Sequence, residues 1–299
     1  MISVVIPQYK GKDNFYTHLK HNLPFFKDCE VIVVNDYPEV PLALEMAELF
    51  PQVKVIENEK NLGFAGAVSK GVCVATNQFV LLLNNDVILN DNSFQNALSH
   101  FKKNKDLIAV SFQQTEKDGS FVGSNTIYWQ NGFFQHSKSN SKKCDINGWA
   151  EGGSMIFDKK KYDTLFGLDT LYSPFYWEDV DLSYRAWKAG YTILFDPQIT
   201  VQHHHESTIA AHFNSSQIKS VAYRNQLNTI WKNISDRKMI FEHIFYLLKN
   251  LITYPLKGDM DFLRGFWMAA QLSREIWKKR IKQKSLWKKS DREIFEMFN

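Results

Sequence analysis

The sequence predicts an α/β fold, a doubly wound and mostly parallel sheet with a C-terminal helical extension. Three observations lead there. Short β-branched runs alternate with helix-period segments through the first hundred residues, polar turn residues close these runs, and the last third of the chain carries helical periodicity alone.

Ile2–Ile6 is a continuous apolar run ended by Pro7, the pattern of a strand buried on both faces. Glu30–Val34 is a second, closed by Asn35-Asp36-Tyr37-Pro38, and Val53–Ile56 a third. Phe79–Leu83 is a fourth, closed by Asn84-Asn85-Asp86, and Leu107–Phe112 continues the series. Between them, Pro41–Phe50 and Gly63–Ala75 place apolar residues at helical spacing. Gln113–Trp149 is irregular and polar, and reads as strands and loops covering a crevice. Met155–Phe157 is again a strand, followed by a helix near Lys159–Leu165. Glu178–Ala189 is helical, with acidic residues at its start and Gly190 as its stop. Tyr191–Phe195 and Ile199–Val201 read as two strands flanking Asp196-Pro197, and from Ser215 onward the chain reads as helices. The expected division is a catalytic domain over 1–210 and a basic, amphipathic helical region over 211–299.

With 299 residues, 44% of them hydrophobic, the chain can build one large core plus a helical appendage. Cys29, Cys73 and Cys144 are far apart and lack Cys-x-x-Cys spacing, which argues against a disulfide framework or structural zinc and suits a reducing compartment. Met1–Pro7 reads as a core strand rather than a signal peptide, and no run of eighteen apolar residues occurs. A cytoplasmic location, extending to the inner face of a membrane, is the expectation. The net charge of +4 is unevenly spread: Lys257–Asn299 holds eleven basic and six acidic residues, leaving the remainder at −1.

Ligands of such sheets bind beyond the carboxyl ends of the strands. That rule brings Pro7-Gln8-Tyr9, Asn35-Asp36 and Asn84-Asn85-Asp86 to one rim. A carboxylate at a strand end can hold a hard divalent cation against phosphates, although Asn-Asn-Asp is equally good turn chemistry. Glu178-Asp179-Val180-Asp181 offers three carboxylates at a helix entrance, more than capping requires, and one could act as a general base. In His203-His204-His205-Glu206, strand alternation puts His203 and His205 on one side, as metal ligands or as surface residues.

Taken in order, these motifs resemble family 2 inverting glycosyltransferases of the GT-A fold. Asn61-Leu62-Gly63-Phe64-Ala65-Gly66 and Leu83-Asn84-Asn85-Asp86 are similar to the family's first half. Glu151-Gly152-Gly153-Ser154-Met155, Tyr176–Ala186, Ala189-Gly190-Tyr191, Asp196-Pro197 and Val201–His204 are similar to its second. The resemblance covers roughly residues 1–210 and is nearest to the rhamnosyltransferase-like and galactofuranosyltransferase-like branch. It implies a nucleotide-sugar donor (dTDP- or UDP-linked), a glycan or lipid-linked acceptor in surface polysaccharide synthesis, and a divalent metal, Mg²⁺ or Mn²⁺. Asp86 stands where the last acid of the family's Asp-X-Asp motif binds that metal, with Asn84 in place of the first acid. Asp36 matches the contact to the base, Pro7, Gln8 and Tyr9 match the segment under the nucleotide, and Asn84 and Asn85 are expected to bind the donor together with Asp86. Asn61 and Gly63 match the floor near base and ribose. Asp179 matches the catalytic base, Glu178 an acceptor or structural contact, and His203 a second metal ligand. Tyr37-Pro38 departs from the usual Gly-Ser, and Val68-Ser69 from the usual Arg or Asn.

In the tail, Met239–Ile252 and Phe262–Trp277 carry apolar faces at helical spacing, followed by the basic, Trp-containing stretch Trp277–Lys289. This composition suits peripheral contact with anionic lipid, or packing on the body or on another subunit of a homo-oligomer. A nucleic-acid partner is not expected from a body this close to neutral, and a nucleotidyltransferase would want a Gly-rich basic segment that Gln8–Lys12 barely echoes.

Overall fold

The computed structural model describes residues 1–203 and 213–298. Strands β1 (Ile2–Gln8), β2 (Cys29–Asn35), β3 (Val53–Glu57) and β4 (Phe79–Leu83) lie parallel in the order β4-β1-β2-β3. Helices α1 (Lys12–Asn22), α2 (Ala43–Leu49) and α3 (Gly63–Val74) connect them. Beyond β5 (Val87–Leu89) and α4 (Ala97–Lys103), β6 (Leu107–Thr115) begins the second half, with β7 (Phe121–Val122) against it. A hairpin of β8 (Asn125–Gln130) and β9 (Phe133–Lys138) stands apart from the main sheet. After β10 (Asp145–Ile146), β11 (Ser154–Asp158) enters antiparallel between β4 and β6. Helices α5 (Lys159–Thr164) and α6 (Glu178–Lys188) lead to β12 (Thr192–His203), parallel to β6.

Side-chain alternation along the strands explains the double winding. Val5, Ile32 and Val34 face α3 and α6 in one core, while Val4, Ile6 and Val33 face Phe15 and Leu19 of α1 and Met46 of α2 in the other. The two runs flanking Asp196-Pro197 belong to one strand rather than two. Pro197 has no N–H for the ladder, so the register with β6 shifts between Asp196 and Thr200 while the strand continues.

The C-terminal helices are α7 (Ser215–Asn233), α8 (Arg237–Leu256), α9 (Met260–Gln271), α10 (Ser273–Lys284) and α11 (Asp291–Glu296). The apolar period across Phe262–Trp277 is thus divided at Leu272 between two helices. Leu227, Ile230, Phe262, Ile276 and Phe295 join the same core as Val5 and α6, so packing is continuous across residue 210.

Two buried carboxylates fasten this contact. Asp181 in α6 accepts hydrogen bonds from Tyr172 Oη, Arg185 Nε, Lys232 Nζ and Asn233 Nδ2, each 2.8 Å long. Lys232 also reaches Asp169 at 2.7 Å. Asp291, at the start of α11, accepts from Tyr184 Oη at 2.6 Å, Lys188 Nζ at 2.8 Å and the backbone N–H groups of Ser235 and Asp236. Desolvation penalises both carboxylates, yet Arg185 and Lys232 hold Asp181, and Lys188 holds Asp291, below the ordinary range.

Removing one partner of such a network strands a buried charge. Lys232→Ala should lower the unfolding free energy by about 3–5 kcal/mol, measured by urea denaturation at neutral pH. Because both carboxyls titrate below their unfolded values near 3.9, their stabilisation is present above about pH 4 and is lost as pH falls through the folded values. Thermal unfolding between pH 2 and 5 should show the decline, with a weaker slope in Asp181→Asn.

Candidate active site

The strand ends β1, β2 and β4 meet as their sequence spacing predicts. Gln8 is buried, accepts from Asn85 Nδ2 at 2.7 Å and donates to the Lys10 carbonyl at 2.6 Å, tying the turn after β4 to the end of β1. Pro7 lies within β1, paired with Val34. Tyr9 packs edge-on against Tyr37 with ring centres 5.5 Å apart, and the Lys10 ammonium sits over both rings. Asp36 is buried, and its Oδ1 accepts from Asn58 Nδ2 at 2.7 Å and the Leu62 N–H at 2.8 Å. Burial raises its pKa against those bonds. Asn61 Oδ1 accepts from the Gly63 N–H at 2.8 Å, closing the turn that starts α3.

At the end of β4, the Asn84 N–H donates to the Gly153 carbonyl at 2.9 Å, while its buried side-chain Oδ1 has no hydrogen-bond partner. Asp86 Oδ1 lies 3.1 Å from His203 Nε2, joining the turn after β4 to the end of β12. His203 Nδ1 is 2.5 Å from Gln114 Oε1, and Gln114 Nε2 donates to Glu151, whose other oxygen accepts from Asn125. This relay fixes the imidazole plane and aims Nε2 at Asp86. Gly153 leaves room at this junction, since a Cβ there would stand 3.0 Å from His203 Cε1 and 3.4 Å from Asn84 Nδ2 and crowd the imidazole. His204, His205 and Glu206 lie outside the described residues.

One residue earlier, the Gly152 N–H donates to Asp179 Oδ2 at 3.0 Å, and the Val180 N–H donates to Oδ1 at 2.8 Å. The Asp179 carboxylate and the Asp86–His203 pair therefore border the same two-glycine segment. Burial raises the Asp179 pKa, partly offset by these N–H donors and by His136. Its neighbour Glu178 is buried, with Oε2 unpartnered, and desolvation together with the Asp179 charge pushes its carboxyl up to about 8. Burial raises both carboxyls, and they differ in hydrogen bonding: two backbone N–H groups hold Asp179, while Glu178 Oε2 has no donor.

The turn feeding α6 is strained, with Tyr176 at φ 70° and Trp177 at φ 78°. The buried Asn225 of α7 holds it, donating to the carbonyls of Tyr172, Phe175 and Tyr176 at 3.1, 2.9 and 2.9 Å. Arg224 adds bonds to the Tyr172 and Ser173 carbonyls. His136 of β9 stands edge-on to Trp149 and Trp177, each 4.8 Å away. Sequence reasoning missed Gln114, Glu151, His136, Arg224 and Asn225. The acid of Glu151-Gly152-Gly153 was visible as a motif, but nothing in the local pattern marks the other four.

This sheet order and this rim define the fold of GT-A glycosyltransferases. Residues 3–166 match the model of Glycosyl transferase family 2, and the chain belongs to that family. Over 196 residues it is 22% identical to Polypeptide N-acetylgalactosaminyltransferase 5 of Caenorhabditis elegans, spanning 58% of this chain and about a third (31%) of that protein. Among solved structures it is similar to GalNAc-T7 with UDP, GalNAc and Mn²⁺ (TM-score 0.67, 16% identity), covering 99% of this chain and 56% of that one. It is also similar to residues 1–349 of S. aureus TarS (TM-score 0.57, 15% identity, 99% and 90% covered). A third is the mannosyltransferase PcManGT from Pyrobaculum calidifontis in complex with GDP-Man and Mn²⁺ (TM-score 0.55, 14% identity, 95% and 79% covered). At these identities the structural likeness establishes the shared fold.

The buried Glu178 carboxyl has a stability consequence. With its pKa near 8 in the fold and about 4.3 unfolded, its contribution is complete below pH 4 and is lost as pH rises toward 8, because the unfolded chain releases the proton first. Glu178→Gln should flatten the fall in melting temperature between pH 5 and pH 8.

Proposed function

We propose that the chain transfers a sugar from a nucleotide-diphosphate donor to an acceptor hydroxyl with inversion at the anomeric carbon, Asp179 acting as the general base. The observation that carries this reading is the meeting of Asp179 and the Asp86–His203 pair on Gly152-Gly153. A carboxylate oxygen of Asp86 and an imidazole nitrogen of His203 at 3.1 Å are donors suited to a divalent cation such as Mn²⁺ or Mg²⁺, and Asn84, two residues before Asp86, keeps a buried Oδ1 without a partner. Bound there, the cation would offset the charge of the departing diphosphate.

The remaining steps fall to the chain's own residues. Asp36, with Asn61 and Gly63, floors the base and ribose, and Tyr9 with Tyr37 offers aromatic surface beside them. The backbone of Pro7-Gln8-Tyr9 runs beneath the nucleotide, held by the Gln8–Asn85 bond. Asp179 takes the acceptor proton while the Gly152 and Val180 N–H groups fix its carboxylate. Glu178, buried beside it, serves as an acceptor contact or as support for the Asp179 carboxylate. Solved relatives bound to UDP-GlcNAc and to GDP-Man support a nucleotide-sugar donor, and the motif pattern favours a dTDP- or UDP-linked one from the rhamnosyl or galactofuranosyl branch.

Helix α8 supports peripheral membrane contact and an acceptor presented there. Phe241, Phe245, Ile252 and Leu256 are 64–81% exposed, and with Ile244 and Leu248 they form one stripe at three- and four-residue steps. Arg237, Lys238, Lys249 and Lys257 on or beside this helix are exposed, whereas its only acid, Glu242, is turned inward onto Trp129 and Gly132. A second copy would oppose cations to cations, but anionic lipid answers them. Among the described residues no helix is long and apolar enough to cross a membrane, so α8 would lie in the interface. The Trp277–Lys289 stretch is a poorer lipid face than its composition suggests. Lys279 pairs with Asp169, Arg280 donates to the Trp231 carbonyl, and Gln283 binds Asn233.

Asp179→Asn should abolish transfer while retaining donor binding, with inverted anomeric configuration in the wild-type product read by proton NMR; undiminished turnover would remove Asp179 from this role. Asp86→Ala should weaken donor binding in calorimetry with Mn²⁺ far more than without it. In flotation with phosphatidylglycerol-containing vesicles, the pair Phe245→Glu and Leu248→Glu should cut the bound fraction about tenfold. A protein that fails to float, yet dimerises through the same residues, would make the stripe a subunit interface.

A further inference from the structure

On the far side of the β8–β9 hairpin from His136 lies a groove of about 290 Å³, walled by α7 and α8. It shares no lining residue with the site around Asp179 and Asp86. Strand β9 serves both sides: Phe134 packs on Trp177 and His136 on Trp149, while Phe133 and Gln135 turn to the groove.

The lining has an unusual chemistry. Five carboxamides line it together with Tyr246 and Tyr254; Gln226 is spent on the Phe134 carbonyl, which leaves Gln130, Asn131, Gln135 and Asn250. Among the described residues, none of these four side chains has a hydrogen-bond partner. Each brings both donors and an acceptor, so the groove concentrates neutral hydrogen-bonding capacity over aromatic surface. No carboxylate lines it and its one cation, Lys249, lies over the Tyr246 ring at 5.5 Å. A phosphate or carboxylate ligand would call for paired cations or an Arg fork, which this lining lacks.

The walls are fixed in advance. Glu242 accepts from Trp129 Nε1 at 2.8 Å and from the Gly132 N–H at 3.2 Å, pinning both the strand and the turn of the hairpin to α8. His243 Nδ1 meets the Gly132 carbonyl at 2.7 Å, and Gln226 of α7 donates to the Phe134 carbonyl at 2.9 Å. A small groove with held walls, open carboxamides and half-buried tyrosines in its lining matches a pyranose or furanose, whose C–H groups pack on aromatic surface while its hydroxyls pair with amides.

We propose that this groove binds a neutral sugar unit of the acceptor glycan, apart from the unit that receives the transferred sugar. The assignment to an acceptor rests on the transferase reading above, while the binding itself does not. The full chain, saturated with UDP, is titrated with chitotriose, maltotriose and galactotriose and followed by saturation-transfer NMR and calorimetry. At least one should bind, with affinity weakened about fivefold or more by Tyr246→Ala and by Asn250→Ala, and unchanged in Asp179→Asn. Melting temperatures within a few degrees of wild type would show that the groove variants are folded. Absence of binding by all three sugars, or binding that neither groove variant weakens, overturns the proposal. Failure of the transferase reading would instead appear as undiminished transfer by Asp179→Asn, whatever the groove does.

Discussion

The Asp179 side and the Asp86–His203 side of the rim meet on the backbone of Gly152-Gly153, which passes where a side chain would be crowded. On one side Phe64 and Asp179 close in, and on the other His203 and Asn84. The antiparallel strand β11, which starts at the next residue, holds this passage by pairing with both β4 and β6. Two groups from opposite halves of the chain thereby come to share one stretch of backbone. A methyl group at Gly153 would meet the imidazole and amide at once, at the shortest distances real contacts tolerate.

The acidic helix start imposes a second constraint. Holding Tyr176 and Trp177 at positive φ costs of order 1–3 kcal/mol each, and the structure offsets this from outside the turn. Asn225 collects three carbonyls with one carboxamide, and four residues after Trp177, inside α6, Asp181 is clamped by Lys232 and Asn233. The direction in which Glu178 and Asp179 point is therefore set by α7 as much as by the sheet. Strain at the site and charge burial beneath it form one arrangement.

How far this was legible in the sequence follows from what is local. Strands β1 to β4 and helices α2, α3 and α6 were readable because each writes its burial into a short period, and the polar strand ends betray the rim. Asp86 and His203 were separable from turn and surface residues only through their ordered company, and the structure brings them to 3.1 Å. Gln114 and Asn225 were illegible because their importance is a long-range hydrogen bond, and each stands among polar neighbours, Gln113 and Thr115 or Arg224 and Gln226, from which nothing local sets it apart. The division of the tail's surface was also hidden. Periodicity shows that α8 and α10 each have an apolar side, but only packing tells which side is already covered.

The clamp on Asp181 bears on how such enzymes can be recombined. A chimaera that keeps this sheet and borrows the C-terminal helices of a relative must bring its own counterparts of Lys232 and Asn233. Without them, a carboxylate two positions from the general-base candidate is left buried with only Arg185 and the Tyr172 hydroxyl to hold it. Compatibility between halves would then be decided by a few matched polar pairs at the seam, and sequence similarity elsewhere would be a poor guide to which exchanges succeed.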